Sequence, residues 1–270
     1  MTMHPRVGVS GISTWNWPLD RDLAFYDDAA IHTIGLSLRK LDPRRWRDDV
    51  DRVVARGIQV ADVIGLGPFH LDAPDQWPDQ RDRLRWAIDV AVAAAAPCLV
   101  ATTGPAGALG WEEAADALEA ALTPILPIAA DAGVTVALEH TNSLRVDVGF
   151  VHTLRDMVDL ATRLGTAVCL EVNACWAERD LASTIVAARD RVALVQVSDF
   201  AIGTRSTPDR LVPGDGDIPL HRILHQILDA GYGGVFELEL IGPRVEDEGY
   251  EKAVPRAITA LGELLRDLGV

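Results

Sequence analysis

The most constraining feature of this sequence is a short apolar run that ends in a carboxylate or an amide and occurs four times. Each run has the length and composition of a buried β-strand. Parallel strands that end in polar groups at one end of a sheet would build a single polar site there. The runs span residues 135–139, 168–171, 194–196 and 235–239 and end at Glu139, Glu171, Gln196 and Glu239.

Strand-like and helix-like segments alternate along the whole chain. Strict alternation predicts parallel strands joined by right-handed crossovers. Eight such units over residues 1–270 predict one domain with the α/β fold of a single (β/α)8 TIM barrel, because an open sheet usually has fewer strands and a glycine-rich phosphate turn. The predicted strands before the four runs lie at residues 6–10, 33–38, 58–64 and 97–102.

Two proline signals refine the helices. Asp42-Pro43 is typical of a helix start, with proline in the first turn, and predicts a helix that ends near Ala55. The segment 111–132 has helical spacing but contains Pro124 and Pro127, which predict a kink.

Composition excludes several classes of function. The chain has 270 residues, 49% of them hydrophobic, which is enough for one sizeable core. A net charge of −15 argues against binding to a nucleic-acid backbone. We expect no membrane span and no signal peptide, since no apolar run has the required length or flanking charges. Three cysteines without a CxxC pair favour reduced thiols and a cytoplasmic protein.

The polar strand ends predict a metal site. If Glu139, Glu171, Gln196 and Glu239 converge, three carboxylates cannot remain ionised together without compensation. A divalent cation would provide it, and oxygen ligands favour Mn²⁺ or Mg²⁺ over Zn²⁺. The alternative is that these are unrelated polar groups, each with its own hydrogen bonds.

Motifs along the second half of the chain carry a family resemblance. They lie at residues 138–140 (Leu-Glu-His), 169–171 (Cys-Leu-Glu), 195–199 (Val-Gln-Val-Ser-Asp), 213–217 (Pro-Gly-Asp-Gly-Asp) and 231–234 (Gly-Tyr-Gly-Gly). In this order they resemble the sugar phosphate isomerase/epimerase family of xylose isomerase-like TIM barrels. That family also contains tagatose 3-epimerase, inosose dehydratase and endonuclease IV-type enzymes. The resemblance extends over essentially the whole chain.

The resemblance implies a ligand set of Glu, Asp, His and Glu. Glu139 and Glu239 match the two glutamates, Glu171 stands in place of the aspartate, and Gln196 stands in place of the histidine. The implied cofactor is a divalent ion, Mn²⁺ first, with Mg²⁺, Co²⁺ or Zn²⁺ as alternatives. Asn173, two residues after Glu171, is an alternative to Glu171 as a metal ligand.

Two departures from the family are visible in the sequence. Gln196 removes the nitrogen ligand, and Ala174 replaces the substrate-binding histidine that usually follows the strand-six carboxylate by three residues. Glu237 shares the strand face of Glu239, and we expect it to lie deeper or to support that ligand.

The resemblance implies that Glu139 and Glu239 form the catalytic acid/base pair on opposite faces of the substrate. The expected reaction is isomerisation or epimerisation of a sugar, keto-sugar or related compound by proton abstraction next to a carbonyl. A lyase or dehydratase acting on a keto-sugar or keto-glycoside from the same site is the alternative. A non-catalytic sugar-binding barrel is the alternative of another class, supported by Gln196.

Other residues are candidates for substrate contact or loop structure. The substrate candidates are His70 in the loop after the third strand, Arg210 after the seventh, and Trp15 and Trp176 in loops at the same end. We expect Asp199 to anchor the loop after the seventh strand. The expected partner is a small carbohydrate-like molecule, and by resemblance to its relatives the chain is expected to form a homodimer or homotetramer.

Overall fold

The computed structural model describes residues 3–66 and 69–270, and these contain eight β-strands and eleven α-helices. Gly67 and Pro68, in the loop after the third predicted strand, lie outside the described residues. The strands are β1 (Val7–Ser10), β2 (Thr33–Ser37), β3 (Gln59–Leu66), β4 (Cys98–Thr102), β5 (Thr135–Glu139), β6 (Ala167–Glu171), β7 (Val192–Val197) and β8 (Phe236–Leu238). The helices are α1 (Leu19–Ala29), α2 (Trp46–Val54), α3 (Trp77–Ala93), α4 (Trp111–Leu122), α5 (Leu126–Asp131), α6 (Leu154–Leu164), α7 (Val172–Cys175), α8 (Leu181–Ala188), α9 (Leu220–Asp229), α10 (Pro243–Glu248) and α11 (Tyr250–Asp267).

The strands form a closed parallel barrel in sequence order. Each strand pairs with the next, and β8 pairs with β1 through a register that sets Glu237 opposite Gly8. Helices interleave with the strands, so the prediction of a single (β/α)8 barrel is confirmed. Because all the strands run the same way, their carboxyl ends and the loops that follow them gather at one mouth.

The helices bury one face against the barrel. In α6 the buried residues recur at helical spacing from Leu154 to Leu164. Thr153 begins this helix by accepting the backbone N–H of Asp156, and Gly165 ends it at φ 71°, a conformation that favours glycine. A separate, smaller apolar cluster fills the barrel itself and consists of Ile64, Cys98, Val100, Ala137, Cys169 and Leu194.

Some predicted helix limits were wrong for local reasons. Helix α2 begins at Trp46, because Asp42 Oδ1 accepts the N–H of Arg44 and its carbonyl accepts the N–H of Arg45, which makes a separate turn. The kinked helix over 111–132 is two helices, α4 and α5, since a proline lacks the N–H that a continuous helix needs. The short helices α7 and α10 were not predicted.

None of the helices in the described ranges is long and apolar enough to cross a bilayer. Cys98, Cys169 and Cys175 are all buried and free, in agreement with the prediction of reduced thiols.

Candidate metal centre and active site

Three carboxylates converge at the mouth of the barrel. Glu139 ends β5, Glu171 ends β6, and Glu239 directly follows β8. None is more than 7% exposed, and one oxygen of each lies within 4.8 Å of the others. Barrel closure therefore brings together three groups that are up to 100 residues apart in the sequence.

Arg210 bridges two of these carboxylates. Its Nη1 lies 2.5 Å from Oε2 of Glu171 and 2.6 Å from Oε2 of Glu239. Burial by itself would lower the pKa of Arg210, but the charges of Glu171 and Glu239 outweigh it and the pKa is raised. Arg210 therefore contributes one permanent positive charge to the cluster.

Ionisation of all three carboxyl groups would leave surplus negative charge in the cluster. Burial raises the pKa of Glu139 well above its usual range, and the charges of Glu239 and Glu171 raise it further. Burial also raises the pKa of Glu171 to about 7, although Arg210 opposes the shift. One guanidinium does not balance three carboxylates, so binding a further cation would stabilise their ionised forms.

Gln196 is fully buried, and its Nε2 lies 3.5 Å from Oε1 of Glu239. Its Nε2 donates to Oε2 of Glu237 at 3.0 Å, and its Oε1 accepts the Cys169 thiol at 3.4 Å. In this arrangement the amide oxygen faces the thiol, so coordination of an ion by Gln196 requires the amide to rotate.

Glu237 forms a second, deeper acidic pair with Asp62, and both side chains are fully buried. Burial raises the pKa of Asp62 to about 7, and burial together with the charge of Asp62 raises the pKa of Glu237 well above its usual range. Two neighbouring buried carboxyl groups repel each other when both are ionised, so protonation of one of them would stabilise the pair. Asp62 was not predicted as part of the site, although an acidic residue inside an apolar strand was an available signal.

Asn173, the predicted rival to Glu171, contacts that residue directly. Its backbone N–H donates to Oε1 of Glu171 at 2.8 Å, and its Nδ2 donates to the carbonyl of Asp199 at 3.3 Å. Its side chain also lines the cavity above the carboxylates. Asn173 thus orients Glu171 and lies within the same site.

Asp199 anchors the loop that carries Arg210. Its two oxygens accept the backbone N–H groups of four residues at 2.8 to 3.1 Å, and its side chain is 1% exposed. Hydrogen bonds to a buried carboxylate are among the stronger ones in proteins. The four donors are Phe200, Gly214, Gly216 and Ile218.

A cavity of about 290 Å³ opens above the carboxylates. Trp15 and Arg210, two of the predicted substrate-contacting residues, line it. His70 is exposed and Trp176 packs half-buried against the core, and neither is among the described residues that line this cavity. Arg145, in the loop after β5, lines the cavity and was not predicted.

The donors in this cluster suit a hard divalent cation. One oxygen of each of the three buried carboxyl groups lies within 4.8 Å of the others, and when all three are ionised they carry more negative charge than Arg210 neutralises. Oxygen donors of this kind match Mn²⁺ or Mg²⁺ better than Zn²⁺.

The fold matches known structures over nearly its full length. Protein SMc04130 from Sinorhizobium meliloti 1021 is 23% identical with a TM-score of 0.84, and the match covers 98% of both chains. The IolI protein, solved with bound zinc, is 17% identical with a TM-score of 0.77 over 97% of both chains. D-psicose 3-epimerase from Clostridium cellulolyticum H10, solved with D-tagatose, is 15% identical with a TM-score of 0.77 over 98% of this chain and 100% of its own. At these identities the likeness establishes the fold alone.

No curated protein matches the chain. A family model does match, over residues 19–263, and it describes the xylose isomerase-like TIM barrel. The match includes the residues from β5 to β8 that form the carboxylate cluster. The chain therefore belongs to the xylose isomerase-like TIM barrel family.

Proposed function

We propose that this chain is a divalent-metal-dependent isomerase or epimerase that acts on a small sugar-like hydroxy-carbonyl compound. The observation that carries the proposal is the buried cluster of Glu139, Glu171 and Glu239 at the base of an open cavity. A buried acidic cluster destabilises a fold, and such clusters with raised pKa values are found most often at functional sites. Family membership and the structural likeness to sugar epimerases support the same reaction class.

Glu139, Glu171 and Glu239 would hold the ion, with Gln196 as a fourth ligand if its amide rotates. Mn²⁺ is the proposed ion, and Mg²⁺, Co²⁺ and Zn²⁺ are the alternatives. The bound ion would supply polarisation of the substrate carbonyl and stabilisation of the negative charge that develops on it.

Glu139 and Glu239 are proposed to transfer the proton. They come from β5 and from the end of β8, with two strands between them, and both face the cavity. One carboxylate would take the proton next to the carbonyl, and the other carboxyl would return a proton to the opposite face or to the neighbouring carbon. Arg210, which contacts Glu239, would orient that carboxylate, and Trp15 would contact the substrate.

The experiment is turnover in deuterium oxide with the Mn²⁺-loaded protein and a panel of ketoses and keto-glycosides. Deuterium incorporation with retention of the carbon skeleton supports an isomerase or epimerase, whereas loss of water or of an aglycone supports the lyase alternative. Glu139→Gln and Glu239→Gln should each abolish turnover without changing the Tm by more than a few degrees. Glu263→Gln, an exposed residue of α11, is the matched control. Full activity in either site variant contradicts the assignment.

A sugar-binding barrel without catalysis is the second candidate. Two observations favour it: Gln196 replaces a nitrogen ligand, and Arg210 already contacts two of the carboxylates as a resident cation. Elemental analysis of protein purified without added metal separates the two, since the catalytic proposal requires about one divalent ion per chain.

A homodimer or homotetramer and a cytoplasmic location remain predictions. Light scattering coupled to size-exclusion chromatography measures the first.

A further inference from the structure

The cavity above the carboxylates has two chemically different walls. The wall formed by β5 to β8 and their loops presents Glu139, Glu171, Arg210 and Glu239, together with the polar side chain of Asn173. A substrate carbonyl and its neighbouring hydroxyl would be recognised on this side.

The opposite wall, formed by β1 to β4 and their loops, is apolar. Ile12, Trp15, Ile64 and Val100 line it, and Ile64 and Val100 also belong to the apolar cluster that fills the barrel. Thr102 lies on the same wall, but its Oγ1 is buried and lacks a hydrogen-bond partner, so it is inaccessible to a ligand.

Hydrogen-bonding capacity on this apolar wall is therefore small. Among its described side chains, the indole N–H of Trp15 is the one accessible donor, and none offers an accessible acceptor. A hydroxyl group placed against this wall would lose its bonds to water without replacement.

The apolar wall is also held in place. The Arg39 guanidinium carbon lies 4.0 Å from the centre of the Trp15 ring. Lys40, buried in an ion pair with Asp22, donates its Nζ to the carbonyl oxygen of Thr14 at 3.0 Å. These contacts fix the residue before Trp15 and cover part of its ring, so the wall is a preformed surface.

The cavity is equally unsuited to a phosphate group. Both described cations that line it are already paired: Arg210 with Glu171 and Glu239, and Arg145 with Asp147 at 2.9 and 3.1 Å. A phosphate dianion would therefore meet no unpaired cation among the described residues that line the cavity.

We propose that the substrate is an unphosphorylated hydroxy-carbonyl compound with an apolar part, such as a deoxy-ketose, whose apolar part lies against Ile12, Trp15, Ile64 and Val100. This inference rests on the proposed function for the polar end of the molecule. It adds to that proposal the chemistry of the other end of the substrate, where a methyl or ring CH group takes the place of a hydroxyl.

The test is ligand binding by the Mn²⁺-loaded protein, measured by calorimetry with matched pairs. L-fuculose is compared with L-tagatose and L-rhamnulose with L-fructose, because each pair differs only in the hydroxyl at carbon six. D-fructose 6-phosphate is compared with D-fructose. We expect the deoxy member to bind at least about tenfold more tightly, the size of effect that one group in an apolar pocket produces, and the phosphate to bind more weakly than its parent.

Ile12→Thr should reduce the deoxy preference, since it places a hydroxyl on the apolar wall. Ile202→Thr, the same change at a 69% exposed residue, should leave it unaltered. Equal affinity within the pairs, preference for the hydroxylated member, or no binding of any compound contradicts the proposal. Turnover is not used as the readout, so a binding preference without turnover would overturn the proposed reaction while leaving this inference standing.

Discussion

Arg210 Nη1 lies 2.6 Å from Oε2 of Glu239, so an arginine from the loop after β7 contacts a carboxylate from the end of β8 that is proposed to bind metal. The same nitrogen contacts Glu171. Arg210 thus neutralises part of the negative charge of the cluster. A divalent ion would compete with Arg210 for the same carboxylate oxygen atoms.

Replacing Arg210 should strengthen metal binding while weakening turnover. Arg210→Met removes a positive charge that repels the ion and occupies two ligand oxygens, so we expect Mn²⁺ to bind at least about tenfold more tightly, or about 1.4 kcal/mol. Arg210→Lys, which keeps the charge, should change the affinity less. Arg205→Met, an exposed arginine of the same loop, is the control. Calorimetric titration with Mn²⁺ decides this, and an unchanged or lower affinity in Arg210→Met contradicts the competition.

Asp199 should prove essential to the position of Arg210. Asp199→Asn turns one acceptor oxygen into a donor that faces backbone N–H groups, and we expect a loss of about 2 kcal/mol or more in the free energy of unfolding. Turnover and Mn²⁺ affinity should both change, because the loop carries Arg210. Asp217→Asn is the comparison, since Asp217 is exposed and accepts one N–H, from Ile202. Equal urea stability of the two variants would rule out the anchoring role.

Features that depend on local sequence patterns were predictable, whereas contacts between distant segments were not. The barrel followed from strand–helix alternation, which reflects local periodicity, and the positions of Glu139, Glu171 and Glu239 at strand ends followed from it. The bridge from Arg210 and the pairing of Asp62 with Glu237 depend on contacts between distant segments. The alternation of side chains along a strand correctly indicated that Glu237 shares a face with Glu239 and lies deeper. This alternation does not identify Asp62 on β3 as the residue that Glu237 contacts.

The metal-free protein should lose stability as the pH rises. Burial raises the pKa of Glu171 from an ordinary value near 4.5 to about 7 and raises that of Glu139 in the same direction. The folded state therefore binds more protons than the unfolded state in this window, and the free energy of unfolding falls as the pH rises from about 4.5 to about 7.

Mn²⁺ should reverse this trend, because it stabilises the ionised carboxylates and must displace their protons. The measurement is Tm against pH with and without Mn²⁺, using Glu171→Gln to remove part of the slope. If the Tm of the metal-free protein rises as the pH passes through neutrality, the predicted cost of ionising these buried carboxyl groups is contradicted.

Breaking the buried ion pair of Lys40 and Asp22 should lower the free energy of unfolding more than breaking an exposed ion pair. Their side chains are 5% and 1% exposed. Lys40→Met leaves a buried carboxylate without its partner, and we expect a loss of about 3–5 kcal/mol in the free energy of unfolding. Adding Asp22→Asn should recover part of that loss. Arg21→Met, which breaks a pair that is about half exposed on both sides, should change stability by less than about 1 kcal/mol. Urea denaturation of the four proteins tests the ranking, and a cost for Lys40→Met no larger than for Arg21→Met would refute it.

The most direct measurement is anomalous X-ray scattering from crystals of the protein grown with Mn²⁺. The proposed function predicts one anomalous peak within bonding distance of carboxylate oxygens from Glu139, Glu171 and Glu239 together. A crystal with Mn²⁺ in the solution and no peak among these three residues, with Arg210 still bridging Glu171 and Glu239, would contradict it.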